Sequence, residues 1–146
     1  MAKKRDLPGF YEERKLLFDP KASADRKRRA GEAFMEAGRY DEALDFFERC
    51  GATDQVRQVA AKALAAGNTP LFMRAKRILR EEVTDREWSQ VAAAAEHRGA
   101  YTMAYVAHLK AGHEQEAARL RELAHQMDSQ AASGPEGAGQ GETGGS

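Results

Sequence analysis

The sequence has little cysteine, few β-branched aliphatic residues and no long apolar run, and each shortage narrows its possible functions. The one cysteine, Cys50, has no partner for an internal disulfide, which favours a reducing compartment. Valine and isoleucine are scarce, which argues against β-strands. No segment has the length and apolarity of a membrane span, and the charged N-terminus lacks the apolar stretch of a signal peptide. We therefore expect a cytoplasmic protein without membrane contact.

Charge is balanced over the whole chain but unevenly placed along it. The 23 basic and 23 acidic side chains give a net charge of zero, which argues against a protein that mainly grips phosphate backbones. Residues 1–30 hold ten basic and five acidic groups, whereas residues 31–53 hold two basic and six acidic groups. Two helical segments carry basic runs, at Arg26, Lys27, Arg28 and Arg29 and at Arg74, Lys76, Arg77 and Arg80. A solvated helix face is the plain interpretation of both runs, and a basic binding surface is the functional one.

Composition divides the chain into three parts. Residues 1–23 contain a short amphipathic stretch that predicts a docking helix over 10–18, which Pro20 ends. Residues 24–128 are rich in helix-forming residues and predict a helical repeat domain. Residues 129–146 are rich in glycine and polar residues, and we expect them to be disordered because they bury too little apolar surface.

Glycines mark the ends of the predicted helices, where a left-handed residue is needed. These glycines are Gly38, Gly51, Gly67, Gly99 and Gly112. The segment from Thr84 to Glu87 predicts a capping box, and Thr69 before Pro70 predicts a capping hydroxyl. The predicted helices cover residues 24–37, 41–50, 54–66, 70–82, 85–98, 100–111 and 114–127. Because their connections are short, neighbouring helices are expected to be antiparallel, which gives an all-α stack of helical hairpins.

A pattern with glycine five residues before alanine recurs at three turns. Its copies are GRYDEA at 38–43, GAYTMA at 99–104 and GHEQEA at 112–117. The first copy, extended upstream, resembles a tetratricopeptide repeat, and more distantly a clathrin-type repeat, at Gly31, Phe34, Gly38, Tyr40, Ala43 and Phe47. Lys27 departs from the family, which often has Trp there, and the copy around Gly112 departs at His108 and Arg121. The resemblance implies a short right-handed α-solenoid that binds proteins.

The leading hypothesis is a non-enzymatic protein–protein interaction module or scaffold. A groove lined by the first helix of each hairpin would hold an extended peptide or helix of a partner through charged side chains and a few apolar pockets. The candidate partner-binding residues are Arg28, Glu32, Met35, Arg39, Arg74 and Arg77. The alternative is nucleic-acid binding through the two basic runs. Aromatic residues that would stack on bases are not interleaved with these runs.

No motif predicts catalysis, a cofactor or a metal. The chain lacks a phosphate-binding loop, a nucleophile elbow and a paired-carboxylate pattern. The four histidines, at positions 97, 108, 113 and 125, have no metal-ligand spacing, so we expect packing or solvent-facing roles for them. Cys50 is expected to be a small buried residue, and a nucleophilic role would need a base that the sequence does not place near it.

Overall fold

The computed structural model describes residue 7 and residues 9–139, with side chains through residue 131. Within these residues the chain forms eight α-helices and no β-strand, which confirms the all-α prediction. The helices are α1 (Phe10–Phe18), α2 (Ala24–Glu36), α3 (Tyr40–Cys50), α4 (Thr53–Ala66), α5 (Thr69–Leu79), α6 (Asp85–His97), α7 (Tyr101–Ala111) and α8 (Glu114–Gly139).

Consecutive helices pack as hairpins, and the hairpins stack. The pairs α2–α3, α4–α5 and α6–α7 form three hairpins, and α8 packs on α7. Between hairpins, the first helix α4 packs on the first helix α6, while the second helices α3, α5 and α7 contact one another in that order. The short helix α1 contacts α3, and its Leu17 is buried in the main apolar cluster. The predicted hairpin stack is therefore confirmed.

Each of the five predicted turn glycines has a positive φ, between 68° and 80°. The end of α5 differs from the prediction, because the helix stops at Leu79 rather than at residue 82. Arg80 adopts the left-handed conformation there, with φ 57°. Its N–H donates to the carbonyl of Arg77, and the N–H of Glu81 donates to the carbonyl of Lys76. These two bonds close the helix in the way that glycine closes the other turns.

One predicted helix start is confirmed and another is wrong. Thr84 and Glu87 form the capping box, with reciprocal backbone-to-side-chain bonds of 3.1 and 3.0 Å. Thr69 does not cap α5; Asn68 does, by accepting a bond from the backbone N–H of Leu71. The Thr69 hydroxyl instead donates to the carbonyl of Met103 at 2.8 Å. A fully buried hydroxyl needs a partner, and here it finds one on α7.

Aromatic side chains fill the first hairpin. Phe34, Phe46 and Phe47 are fully buried, and the rings of Phe34 and Phe46 stack with centroids 5.7 Å apart. A continuous apolar cluster runs from Leu17 through these rings to Val91 and its neighbours on α6. A second, smaller cluster consists of Ala95, Ala104 and Leu120 with their partly buried neighbours. Two clusters of unequal size therefore hold the stack together.

The last helix is longer than the sequence predicted. Its expected end was residue 127, but α8 continues to Gly139. Residues 129–139, which we expected to be disordered, form its last turns. Asp128 to Ala131 contain no proline or glycine, so the helix passes the predicted end at residue 127. It also continues through Gly134 and Pro135, which nothing in the sequence explains. The remainder of the predicted disordered tail, residues 140–146, lies outside the described residues, as do residues 1–6 and 8 of the N-terminal segment.

Candidate partner-binding cleft

The ends of two second helices border a cleft on the surface of the stack. Helix α3 ends at Cys50 before Gly51, and α5 ends at Leu79 before Arg80. The next residue after each helix has a left-handed backbone conformation, so the chain turns away from the helix axis there. Both helix ends line the same cleft. The resulting cleft has a volume of about 320 Å³. We call it the α3/α5 cleft.

The α3/α5 cleft has an apolar floor and a charged rim. The floor is formed by Phe47, Val56, Ile78 and Leu79. Phe47 and Val56 are buried, whereas Ile78 and Leu79 are partly exposed. The exposed rim is formed by Glu48, Gly51, Thr53, Arg77 and Arg80. An apolar floor with a few charged groups at its edge is the general anatomy of a recognition site.

The two arginines of the rim are available for a partner. Within the described part of the chain, no carboxylate lies within ion-pair distance of Arg77 or Arg80. Arg74, one turn earlier on α5, is used inside the molecule. Its guanidinium donates to the backbone carbonyl and carboxylate of Asp41 and to the carboxylate of Asp45. Arg74 therefore ties α5 to α3, while Arg77 and Arg80 face outward.

Arg80 stands in a conformation that is unfavourable for its residue type. It is the one non-glycine residue with positive φ among the described residues, and the five other such turns all use glycine. A left-handed conformation costs a residue with a Cβ about 1–2 kcal/mol. Backbone strain of this kind accumulates at functional sites. Because Arg80 occupies a position that favours glycine, its exposed side chain is a candidate for a functional role.

The residues predicted on the first hairpin lie elsewhere and are engaged within the protein. Arg28 forms ion pairs with Asp25 and Glu32 on its own helix. Glu32 also accepts a bond from the side-chain amide of Gln55 at 3.3 Å, which links α2 to α4. Thus the Arg28–Glu32 pair joins two first helices, and it does not border the α3/α5 cleft.

Met35 and Arg39 are also occupied by neighbours. Met35 is partly buried and packs against the main apolar cluster. Arg39 forms an ion pair with Glu42 at 3.0 Å, and its guanidinium lies 4.7 Å from the centre of the Phe34 ring. The predicted set therefore divides into two groups, with Arg74 and Arg77 on α5 and the other four residues on the first hairpin. Only Arg77 of this set lines the cleft.

Internal pairing neutralises much of both basic runs. Arg28 and Arg29 both pair with Asp25. Lys76 is only 8% exposed and reaches Glu81 at 3.1 Å and Glu87 at 3.2 Å. These contacts, together with those of Arg74, leave the second run with Arg77 and Arg80 as its free cations within the described residues.

The titratable groups form one arrangement that the sequence analysis did not anticipate. His97 and His125 are exposed and apart, but His108 and His113 meet with their Nδ1 atoms 3.1 Å apart. Burial raises the pKa of the Cys50 thiol, which makes it a poorer nucleophile at neutral pH. No group of three or more His, Cys, Asp or Glu side chains in the described part of the chain is placed to hold a metal ion.

Comparison with family models, with curated proteins and with solved structures gives no match. The resemblance to tetratricopeptide and clathrin-type repeats accordingly stays a prediction. Among the residues that the structure describes, no helix has the length and apolarity that crossing a membrane requires.

The amino-acid sequence indicates part of the α3/α5 cleft but not the rest. Arg77 and Arg80 stood out because they belong to a basic run. The rim residues Glu48 and Thr53 and the floor residue Ile78 carried no signal, since they look like ordinary helix residues in sequence. Only the side-by-side packing of α3 and α5 brings them together. The absence of glycine near residue 80 was the one available signal for an unusual turn.

Proposed function

We propose that this protein is a non-enzymatic interaction module that binds an acidic segment of a partner protein in the α3/α5 cleft. The observation that supports this proposal is the pair of guanidiniums, Arg77 and Arg80, at the rim of an apolar floor, with no carboxylate of the described residues in ion-pair distance. Their neighbours in the same basic run, Arg74 and Lys76, are held by carboxylates of the protein, whereas these two are placed to meet a carboxylate from outside.

The recognition would combine charge with apolar burial. Carboxylates of the partner would receive two parallel N–H bonds from a guanidinium, which is the strongest common form of this contact. An apolar side chain of the same segment would enter the cleft over Phe47 and Ile78. Glu48 on the opposite rim would disfavour segments that carry only acidic residues, so a mixed acidic and apolar sequence fits best.

The cytoplasm is the proposed site of action. The single cysteine is a free thiol, half-buried beside Gly51, and such a thiol suits a reducing compartment.

Binding of the full chain to labelled peptides tests the proposal. Fluorescence polarisation would compare peptides that alternate Glu or Asp with Leu or Phe against basic peptides of the same length. We expect binding of the acidic peptides only, and reversal of Arg77 or Arg80 to Glu should weaken it about tenfold or more. Arg86→Glu is the matched control, because Arg86 is an exposed arginine on α6 that does not line the cleft.

A single-stranded oligonucleotide in the same assay separates the alternative function. Phosphate contacts would give an affinity that falls steeply and linearly with salt concentration on logarithmic axes. Oligonucleotide binding stronger than peptide binding, with that salt slope, would replace the proposal by nucleic-acid binding. Equal loss of peptide binding in the Arg77, Arg80 and Arg86 variants would show a diffuse charge effect and would contradict the cleft.

A further inference from the structure

The turn between α7 and α8 brings two histidines together. His108 lies in the last turn of α7, and His113 immediately precedes α8. Their Nδ1 atoms are 3.1 Å apart, and their ring centres are 5.3 Å apart. Both rings are partly exposed, so an ion from solvent has access to the pair.

We propose that His108 and His113 form a binding site for a late first-row divalent cation such as Zn²⁺, Ni²⁺ or Cu²⁺, with the two Nδ1 atoms as its protein ligands. Imidazole nitrogen is the ligand type that these ions share. Metal–nitrogen bonds of about 2.0–2.1 Å at angles between 90° and the tetrahedral value place two ligand atoms about 2.8–3.4 Å apart. The observed separation of 3.1 Å lies inside this interval, and without an ion it is a hydrogen bond from one Nδ1–H to the other Nδ1. Metal binding replaces that hydrogen bond, and both neutral rings then carry their proton on Nε2.

The second nitrogen of one ring lies near a carboxylate. His113 Nε2 lies 3.8 Å from a carboxylate oxygen of Asp85, at the start of α6. This separation is longer than a hydrogen bond. In metal sites, a carboxylate that accepts a bond from the remote nitrogen orients the ring and raises its basicity toward the metal. The exposed Asp85 side chain would have to move closer to take that role.

Two carboxylates and one guanidinium lie near the pair. Glu96 on α6 and Glu116 on α8 act electrostatically on His108, and Arg119 pairs with both carboxylates.

The proposed site has two protein ligands, and water would complete the coordination. No third His, Cys, Asp or Glu within the described residues joins the pair. A two-ligand chelate binds more weakly than a structural zinc site, so the ion would exchange with the solution. Such an ion would connect the end of α7 to the start of α8.

Nitrogen-15 NMR of the full chain without a polyhistidine tag tests the site on the unaltered sequence. Zn²⁺ is titrated while the imidazole resonances of all four histidines are followed. We expect the Nδ1 signals of His108 and His113 to shift first, with those of His97 and His125 unchanged at the same concentration. No shift, or a uniform shift of all four histidines, would overturn the proposal.

Calorimetric titration of variants with Zn²⁺ provides the second measurement. His108→Asn and His113→Asn should each weaken binding about tenfold or more, since each removes one of two ligands. His97→Asn and His125→Asn are the matched controls and should bind as the unaltered chain does. Circular dichroism of each variant verifies that its helices are intact. Unchanged binding by a folded His108→Asn/His113→Asn double variant would refute the site.

Discussion

The first hairpin, α2–α3, and the last pair, α7–α8, share one architecture but fill it with different side chains. In the first, the buried faces meet through Phe34, Phe46 and Phe47. In the last, the buried side chains are Ala104, Ala107, Ala117 and Leu120, and Tyr101, Met103, Tyr105 and Leu123 are only partly buried beside them. The same glycine–alanine turn pattern opens the second helix of each pair. The turns therefore determine the antiparallel arrangement of the helices, while the volume of the buried side chains determines the stability of each helix pair.

The difference predicts an uneven distribution of stability. A buried phenylalanine removes far more apolar surface from water than a buried alanine does. In the first hairpin, Gly31 makes room for Phe47, because a Cβ at residue 31 would lie 2.5 Å from the phenylalanine ring. In the last pair, Leu109 and Met127 remain about half exposed. We expect α7 and α8 to open at a lower free energy than α2 and α3.

Phe47→Ala should have the largest effect on the protein. The substitution leaves a cavity in the main apolar cluster and should reduce the free energy of unfolding by about 3–5 kcal/mol. Native-state hydrogen exchange should show the loss in α2 through α5 together. Leu120→Ala is the matched variant in the other region, and it should lower protection in α7 and α8 while leaving α2 and α3 unchanged. Equal loss in all helices for both variants would mean that the stack unfolds as a single unit.

Gly67→Ala tests the junction between the two regions. Gly67 ends α4 with φ 69°, and a Cβ there would clash with the backbone of Ala94 and Ala95 on α6. Overpacking together with the left-handed conformation should cost about 3 kcal/mol in thermal or urea unfolding. Gly51→Ala is the control, since Gly51 has φ 68° but open space around its Cα. It should cost only about 1–2 kcal/mol. Equal costs would show that α6 shifts away freely.

Much of this fold can be predicted from the sequence, because the residues that start and end its helices are local signals. Glycines at the helix ends and the Thr84 capping box predicted most helix bounds to within one residue. The end of α5 was missed because Arg80 takes a glycine's conformation, and no local rule indicates that choice. The start of α5 was misassigned because Asn68 and Thr69 are both good caps, and the buried carbonyl of Met103 decides between them.

The residues of the candidate sites are much harder to predict from the sequence, because they depend on distances between helices. The sequence of a basic run does not show which of its side chains form ion pairs with carboxylates of the same protein. Arg74 and Arg77 look equivalent in sequence, yet Asp41 and Asp45 on α3 engage only Arg74. His108 and His113 are five residues apart, a spacing that has no metal-ligand meaning until the turn folds them together.

Lys76→Met should have a smaller effect that depends on pH. Lys76 reaches Glu81 and Glu87, and so connects α5 to the start of α6. Losing these two bonds should cost about 1–2 kcal/mol near pH 7. The bonds from Lys76 and then Arg57 lower the pKa of Glu81 from 4.5. Burial opposes a decrease at Glu87, but the backbone of Thr84 and the Lys76 ammonium together lower its pKa.

The lowered pKa values of the two glutamates determine how the free energy of unfolding changes with pH. Stabilisation by the two glutamates is complete above their ordinary pKa of 4.5 and is lost as the pH falls through the lower folded values. Urea unfolding at several pH values should therefore show a constant difference between Lys76→Met and the unaltered chain at neutral pH. That difference should shrink below about pH 4.5. A difference that grows in acid would contradict the assigned pairing.

Arg80→Gly should produce the smallest change, and its sign should be opposite. Glycine relieves the left-handed strain at φ 57° but gains freedom in the unfolded chain, so we expect a net stabilisation of about 0.5–1 kcal/mol. The peptide affinity of the α3/α5 cleft should fall in the same variant, because one of its two free guanidiniums is removed.

Arg80→Lys provides the control, since it keeps both the strain and the charge and should leave stability unchanged. A variant that is both more stable and weaker in binding would show that the turn between the two regions retains arginine for recognition at the expense of stability. Unaltered binding would instead assign recognition to Arg77 alone.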